Sequence, residues 1–156
     1  VARPEEYDAL RAIEEAADRV FADVGIGPFE QSEDDNHLDQ AAVVFATGDP
    51  AVGFACVEVV DGAAHIWQLS VHPRAARQGR GRALVNAVCD WASVNGLPAV
   101  TLTTFRDVAW NGPFYAKLGF RQLEDLSPGL AAMREHERAI GDDDFGARIA
   151  MRKDLV

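Results

Sequence analysis

Between Ala64 and Gly96 the apolar residues change from the twofold alternation of a strand to the 3.6-residue repeat of a helix. The change falls across a loop rich in Arg and Gly. A strand feeding a helix through such a loop belongs to the α/β class, and it constrains this chain more than any other feature. Residues 72–82 hold Arg74, Arg77, Arg80 and Arg82 and no carboxylate, in a chain whose 15 basic and 25 acidic residues give a net charge of -10. With these four positive charges set aside, the rest of the molecule carries -14. Gly79 and Gly81 would let backbone N–H groups turn inward, and the first turn of the following helix adds unpaired N–H groups and the positive end of its dipole. That combination reads as a phosphate site. It is not a Walker loop, since no Gly-Lys-Ser/Thr follows, nor the dinucleotide fingerprint, whose third glycine position is Leu84. For Gly79-x-Gly81 taken alone, an ordinary connection with solvated arginines is the competing reading.

The elements around this segment follow from local signals. Pro4-Glu5-Glu6 opens a helix, and Tyr7, Leu10, Ile13, Ala17, Val20 and Phe21 recur at helical spacing until Gly25. Residues 30–39, with Glu30, Glu33, Asp34, Asp35 and Asp39, read as an acidic loop or short helix, either a solvated charge run or a cation-binding rim. Strands are expected at Ala41–Ala46, Ala51–Val60 and Ala64–Val71. Asp61-Gly62 is a two-residue hairpin signal, so the three form an antiparallel meander. The helix after Gly79 has the stripe Ala83, Leu84, Ala87, Val88, Trp91 and Ala92 and closes at Asn95-Gly96. A buried strand at Pro98–Thr104, a helix at Asn111–Leu118 stopped by Gly119, a strand at Phe120–Glu124, a helix at Pro128–Ile140 and a last strand at Ala147–Met151 complete an α/β chain with a mixed sheet.

At 156 residues and 48% hydrophobic, one domain spanning 1–156 is expected. No apolar run approaches the ~18 residues of a membrane span. Neither a basic n-region nor an apolar h-region is visible at the start, so a cytoplasmic location is expected. Cys56 and Cys89 lack C-x-x-C spacing, and His37, His65, His72 and His136 form no ligand pattern; no metal is expected. The net negative charge argues against nucleic acid as a partner. A homodimer is left open.

The segment from Leu69 to Leu84 resembles motif A of the GNAT superfamily of N-acetyltransferases, Arg/Gln-x-x-Gly-x-Gly/Ala, with Gly79 and Gly81 at the two small positions and Ala76 departing from the first. The resemblance implies that Arg77, Gln78, Gly79, Arg80, Gly81, Arg82 and Ala83 hold the pyrophosphate of acetyl-coenzyme A. Further on, Tyr115-Ala-Lys-Leu-Gly119-Phe120 resembles the family's Tyr-x-x-x-Gly-Phe segment, which implies that Tyr115 points at the coenzyme sulfur. An Asn seven residues before that Tyr is common in the family; here that position is Val108, and Asn111, four before, is the candidate. The resemblance spans roughly residues 63–123. It implies a mixed, mostly antiparallel central sheet flanked by helices. Relatives begin with a strand for which only Val1–Arg3 remain, so that strand is expected to be short or missing.

The implied reaction is direct acetyl transfer from acetyl-coenzyme A to a primary amine through a tetrahedral intermediate. In relatives the strand corresponding to Ala64–Val71 offers free backbone groups to the pantetheine arm, which gives Leu69 and Val71. Tyr115, with an ordinary pKa near ~10, stays protonated at neutral pH and fits the general acid. Relatives carry a glutamate base where this chain has His65 or Trp67. If Asp61-Gly62 is the turn, Glu58 lies opposite His65, and a carboxylate behind an imidazole would raise its pKa above ~6.5. The pair is otherwise a cross-strand contact near a hairpin tip, and His65 lies about 13 Å along the strand from Leu69. Trp67 either walls the acceptor pocket or fills the core. The acidic body outside the loop favours a small cationic amine as acceptor. A non-catalytic coenzyme-binding module is the alternative, and a nucleotide-phosphate binder is disfavoured by the missing Walker lysine.

Overall fold

The computed structural model describes residues 1–27 and 37–155. The acidic stretch containing Glu30, Glu33, Asp34 and Asp35 lies outside these residues. Helices α1 (Tyr7–Val20) and α2 (His37–Gln40) precede strands β1 (Val43–Thr47), β2 (Gly53–Val60) and β3 (Ala63–Val71). Then come α3 (Arg80–Val94), β4 (Ala99–Phe105), α4 (Gly112–Lys117), β5 (Arg121–Gln122), α5 (Pro128–Ala139) and β6 (Arg148–Asp154). The six strands form one sheet in the order β1-β2-β3-β4-β6-β5. The pairs β1/β2, β4/β6 and β5/β6 are antiparallel and β3/β4 is parallel, so the expected mixed, mostly antiparallel α/β sheet is the one observed.

The chain divides into two compact units. The first comprises residues 1–58 and 66–91. There Pro4 sets the φ of a short 3-10 turn, Glu6 accepts the Arg3 N–H at 2.7 Å, and α1 runs from it with Leu10 and Ile13 buried. Left-handed Gly25 ends the run after a second 3-10 turn. Leu10, Ile13, Leu38, Val44, Phe54 and Cys56 pack as one core, with Tyr7 and Trp67 against it. Each large apolar side chain buried there contributes about 1.5–3 kcal/mol. No initial strand forms before α1, but Ala2 donates its N–H to the Val44 carbonyl at 2.8 Å. In α3 the buried stripe is Leu84, Val85, Val88 and Ala92, and Ala83 is exposed. The stripe therefore turns toward the larger Val85, which buries more apolar area than Ala83.

The second unit comprises residues 59–65 and 92–156. Asp61 and Gly62 have φ of 51° and 76°, as a two-residue hairpin turn that follows the strand twist requires. The β3/β4 ladder consists of Ala64↔Val100 and His65↔Thr101. Strand β6 pairs along the whole of β4, from Ala99↔Asp154 to Phe105↔Arg148, and so runs three residues past the Met151 end expected from the sequence. Strand β5 is shorter than Phe120–Glu124: only Arg121 and Gln122 pair, opposite Arg152 and Met151. Helix α5 is tied to the hairpin tip, where Asp61 accepts from the Ser127 hydroxyl and the Gly129 N–H. A Cβ on Gly129 would lie 2.7 Å from both Asp61 Oδ2 and Val60 Cγ1, so any larger residue would have to displace these side chains.

Candidate functional site

The loop before α3 is built by backbone conformation. Pro73–Ala75 makes a 3-10 turn capped by the His72 ring, which accepts the Arg74 N–H at 3.1 Å. Ala76 is extended, and Arg77 and Gly79 then take φ of 63° and 76°. A Cβ on Gly79 would meet nothing within 4 Å, so glycine is there for its left-handed φ rather than for space. Helix α3 starts at once, with Ala83 N–H bonded to Gly79 O at 3.0 Å. By helix geometry the N–H groups just before Ala83 have no carbonyl within the helix, and α3's 15 residues align their dipoles toward this end.

The side chains leave that end positive. Arg80 donates to Gln78 Oε1 at 3.0 Å and to Thr47 Oγ1 at 3.1 Å, both neutral acceptors that hold the guanidinium without cancelling its charge. Thr47 is a partner that its place at the end of a strand did not reveal. Arg77 and Arg82 are exposed and make no ion pair among the described residues. A left-handed backbone at Arg77 and Gly79, a helix N-terminus and three guanidiniums without an ion pair among the described residues fit a pyrophosphate. Leu69 and Val71 are half-buried on β3, beyond the two-pair ladder to β4.

In the second unit, Asn111 caps α4 rather than joining its face. Its Oδ1 accepts the Thr104 hydroxyl at 2.6 Å and the Phe105 N–H at 3.3 Å, and its carbonyl accepts the Tyr115 N–H at 3.0 Å. Asn111 thus fixes the helix that carries Tyr115 to the end of β4. The start of α4 also presses on the chain: a Cβ on Gly112 would fall on the Arg106 carbonyl. Tyr115 is buried edge-on between Phe114 and Phe120, with ring centroids 5.1 and 5.6 Å away. Burial pushes its phenol above the ordinary value, so the proton stays on at neutral pH.

His65 departs from expectation. It is 2% exposed, with Nδ1 2.9 Å from Thr101 Oγ1. Burial pushes its pKa down to about 4, against the opposing pull of the Glu137 carboxylate. The expected pKa above the free value is therefore reversed, because loss of solvent outweighs the nearest carboxylate. That carboxylate comes from α5 and not from Glu58 as the hairpin register suggested. Glu58 is half-buried in the first unit, and burial raises its pKa. The Cys56 thiol, donating to the His37 carbonyl at 3.2 Å, is pushed up to about 12 by burial and then by the charges of Glu58 and Glu14. Burial thus keeps the thiol protonated at neutral pH, and the charges of Glu58 on β2 and Glu14 on α1 act in the same direction. Trp67 belongs to the core of this unit, with its ring 4.4 Å from that of His37.

Among the described residues no group of three His, Cys, Asp or Glu side chains is placed to hold a metal ion, and no helix is long and apolar enough to cross a membrane.

Residues 7–120 match the model of the Acetyltransferase (GNAT) family. The fold is similar to that of a GNAT-family acetyltransferase from Staphylococcus aureus Mu50, with a TM-score of 0.72 and 14% identity over 99% of this chain and 96% of that one. It is similar to the ribosomal-protein-S18-alanine N-acetyltransferase of Escherichia coli, with a TM-score of 0.67 and 19% identity over 99% and 90% of the two chains. It is also similar to the PaiA N-acetyltransferase of Thermoplasma acidophilum in complex with coenzyme A, with a TM-score of 0.66 and 15% identity over 97% and 94%. At these identities the likeness speaks for the fold, and the family match covers the segments that carry the arginine loop and Tyr115. The chain belongs to the GNAT family of acetyltransferases.

Proposed function

We propose that the protein is an N-acetyltransferase that uses acetyl-coenzyme A to acetylate a small cationic primary amine by direct transfer. The observation that carries this reading is the loop from Arg77 to Ala83, where left-handed backbone, a helix N-terminus and uncompensated arginines coincide. In this reading the N–H groups of Arg80, Gly81 and Arg82 bind the pyrophosphate, with the charges of Arg77 and Arg82 beside them, while Ala83, expected among the donors, has its N–H taken by the Gly79 carbonyl. Gln78 and Thr47 hold Arg80 in place. The main chain at Leu69 and Val71 lines the pantetheine arm. When bound, acetyl-coenzyme A supplies a thioester carbonyl already activated toward an amine.

Tyr115 holds its proton at Oη and is the general acid, while Asn111 positions its helix. The relay through His65 is replaced: an imidazole with a pKa of about 4 is a poor acceptor at neutral pH, whereas Glu58 is half-buried with a raised pKa. In this reading Glu58, the carboxylate first expected behind His65, takes the amine proton itself. Glu14 and Glu58 near Cys56, with Asp18 on α1 raised to about 6 mainly by burial, make the first unit's own field negative, which favours a cationic acceptor.

The test combines calorimetry with coenzyme A and an acetylation assay over mono-, di- and polyamines and acidic amines. Wild type is expected to bind coenzyme A and to turn over a cationic amine best, and Gly79→Glu to bind coenzyme A about tenfold or more weakly, because it adds a charge and a strained φ. Unchanged affinity in Gly79→Glu would place the pyrophosphate elsewhere, and a preference for acidic amines would overturn the acceptor class. In a pH profile, Glu58→Gln should lose the ascending limb that His65→Asn keeps.

A further inference from the structure

A cavity of about 580 Å³ lies wholly within the second unit, inside the ~300–1,000 Å³ range of small-molecule sites. Its floor is Thr101, Leu130 and Ala63, all at most 3% exposed. The registers Thr101↔Arg152 and Arg121↔Arg152 set one row across β4, β6 and β5, so two guanidiniums stand beside the Thr101 hydroxyl at one side of the cavity. Leu123, Glu124, Asp125 and Ser127 after β5, with Val60 and Asp61 of the hairpin, complete the lining.

The lining of this cavity carries charges of both signs. Arg152 and Arg121 share a single carboxylate, Asp154, at 2.7 and 3.4 Å, which leaves one positive charge over at the β5/β6 end. Asp61 is committed to the Ser127 hydroxyl and the start of α5. Glu124 and Asp125, on the turn, make no ion pair among the described residues. A cavity lined by a surplus cation and by two carboxylates without an ion pair among the described residues, with a small apolar part, complements a ligand that carries both signs.

The site is separate from the Tyr115 helix. Thr101 and Thr104 point to opposite faces of β4 by strand alternation, and Thr104 is the residue bonded to Asn111 at the start of α4. Three strand residues add about 10 Å along the chain. We propose that this cavity is a second binding site, for a small molecule bearing both a carboxylate and an ammonium group, of amino-acid or dipeptide size. The carboxylate docks on Arg121 and Arg152, and the ammonium on Glu124 and Asp125. Leu130 and Ala63 take the apolar part. Thr101 couples the site to the buried imidazole, since its hydroxyl also contacts His65 Nδ1.

The test is a set of NMR titrations of the isotope-labelled full chain without coenzyme, so its outcome is independent of the acetyltransferase reading. The probes are L-leucine and L-alanyl-L-alanine, with acetate and methylammonium as single-charge controls. At least one zwitterion should move the Thr101, Arg121 and Arg152 amide signals saturably, and bind at least about tenfold tighter than either control. Whichever of the two saturates at lower concentration tells a free amino acid from a peptide. Arg152→Gln and the double variant Glu124→Gln/Asp125→Asn should each weaken that binding about tenfold, with the rest of the spectrum unchanged. No saturable shift with either zwitterion, equal binding by a control, or full affinity in both variants would each overturn the proposal.

Discussion

The arginines before α3 and those of α5 and β6 have the same chemistry and opposite surroundings. Arg134 is 5% exposed and bonded to Asp143 at 2.9 and 2.7 Å and to Glu137 at 2.8 Å. Arg148 meets Glu137 at 3.0 and 2.8 Å and stacks 4.5 Å from the centre of the Phe105 ring. Burial works against Glu137's charge, yet Arg148 and Arg134 hold its pKa below the usual value. A guanidinium taken out of water is costly until carboxylates neutralise it, so the charge of this cluster is spent inside the fold. Arg77 and Arg82 remain in solvent without a carboxylate, at a positive helix end that repels them. Charge that the fold compensates supports structure; charge that it leaves uncompensated is available to an anion.

Arg134→Ala strikes the compensated side and should have the largest effect. It strands Asp143 and leaves Glu137 with Arg148 and Thr103 alone, and urea denaturation should show a loss of about 3–5 kcal/mol. Folded variant should bind coenzyme A as wild type does. The acid limb of stability should come next. His65's pKa falls from ~6.5 unfolded to about 4 folded, so its contribution is complete above ~6.5 and is lost as pH falls toward 4. Thermal unfolding between those values should show wild type losing about 3 kcal/mol more than His65→Asn over the same interval. Equal slopes would mean that the imidazole is not desolvated.

Tyr115→Phe keeps the ring packing against Phe114 and Phe120 and removes only the hydroxyl. Turnover should fall by ~10² with coenzyme affinity nearly intact, the pattern of a group used in the transition state. Full turnover would remove Tyr115 from the mechanism. The smallest effect tests the uncompensated side directly. Arg77→Ala/Arg82→Ala should change stability by less than about 0.5 kcal/mol, because no partner is stranded, yet weaken coenzyme A about 3- to 10-fold and flatten its salt dependence. A stability loss as large as that of Arg134→Ala would erase the distinction between the two sets of arginines.

Much of the fold was legible because its signals are local. Asp61-Gly62, Gly79 and Gly119 all adopt the positive φ that their residue types favour, and each marks a turn or a helix boundary. The β6–β5 edge of the sheet was harder to read. Strand β6 continues through Arg152, Lys153 and Asp154, polar residues that become strand only because β4 pairs with them. Strand β5 shrinks to Arg121 and Gln122, opposite Arg152 and Met151, and Leu123 adds one backbone bond to Ala150 of β6. At the candidate site, Tyr115 and the arginine loop were singled out by their resemblance to GNAT motifs, whereas the surroundings of His65 and Asn111 could not be read locally. His65 looked like half of a hairpin pair, and it is governed by Thr101, 36 residues on, and by Glu137.

The sequence by itself determined the order of elements, the hairpin turn, the left-handed glycines and the cationic loop opening α3, since these depend on φ preferences, apolar period and charge within a few residues. Tertiary structure decided which polar groups are spent and which are free. Asp61, a turn residue by sequence, became the anchor of a helix that starts 67 residues later through Ser127 and Gly129. Thr47 became the support of Arg80, and Arg121, Arg152 and Asp154 came together from two strands far apart in the chain. Proton affinity and charge pairing depend on the solvent excluded and the partners gathered from distant segments, and no local pattern encodes either quantity.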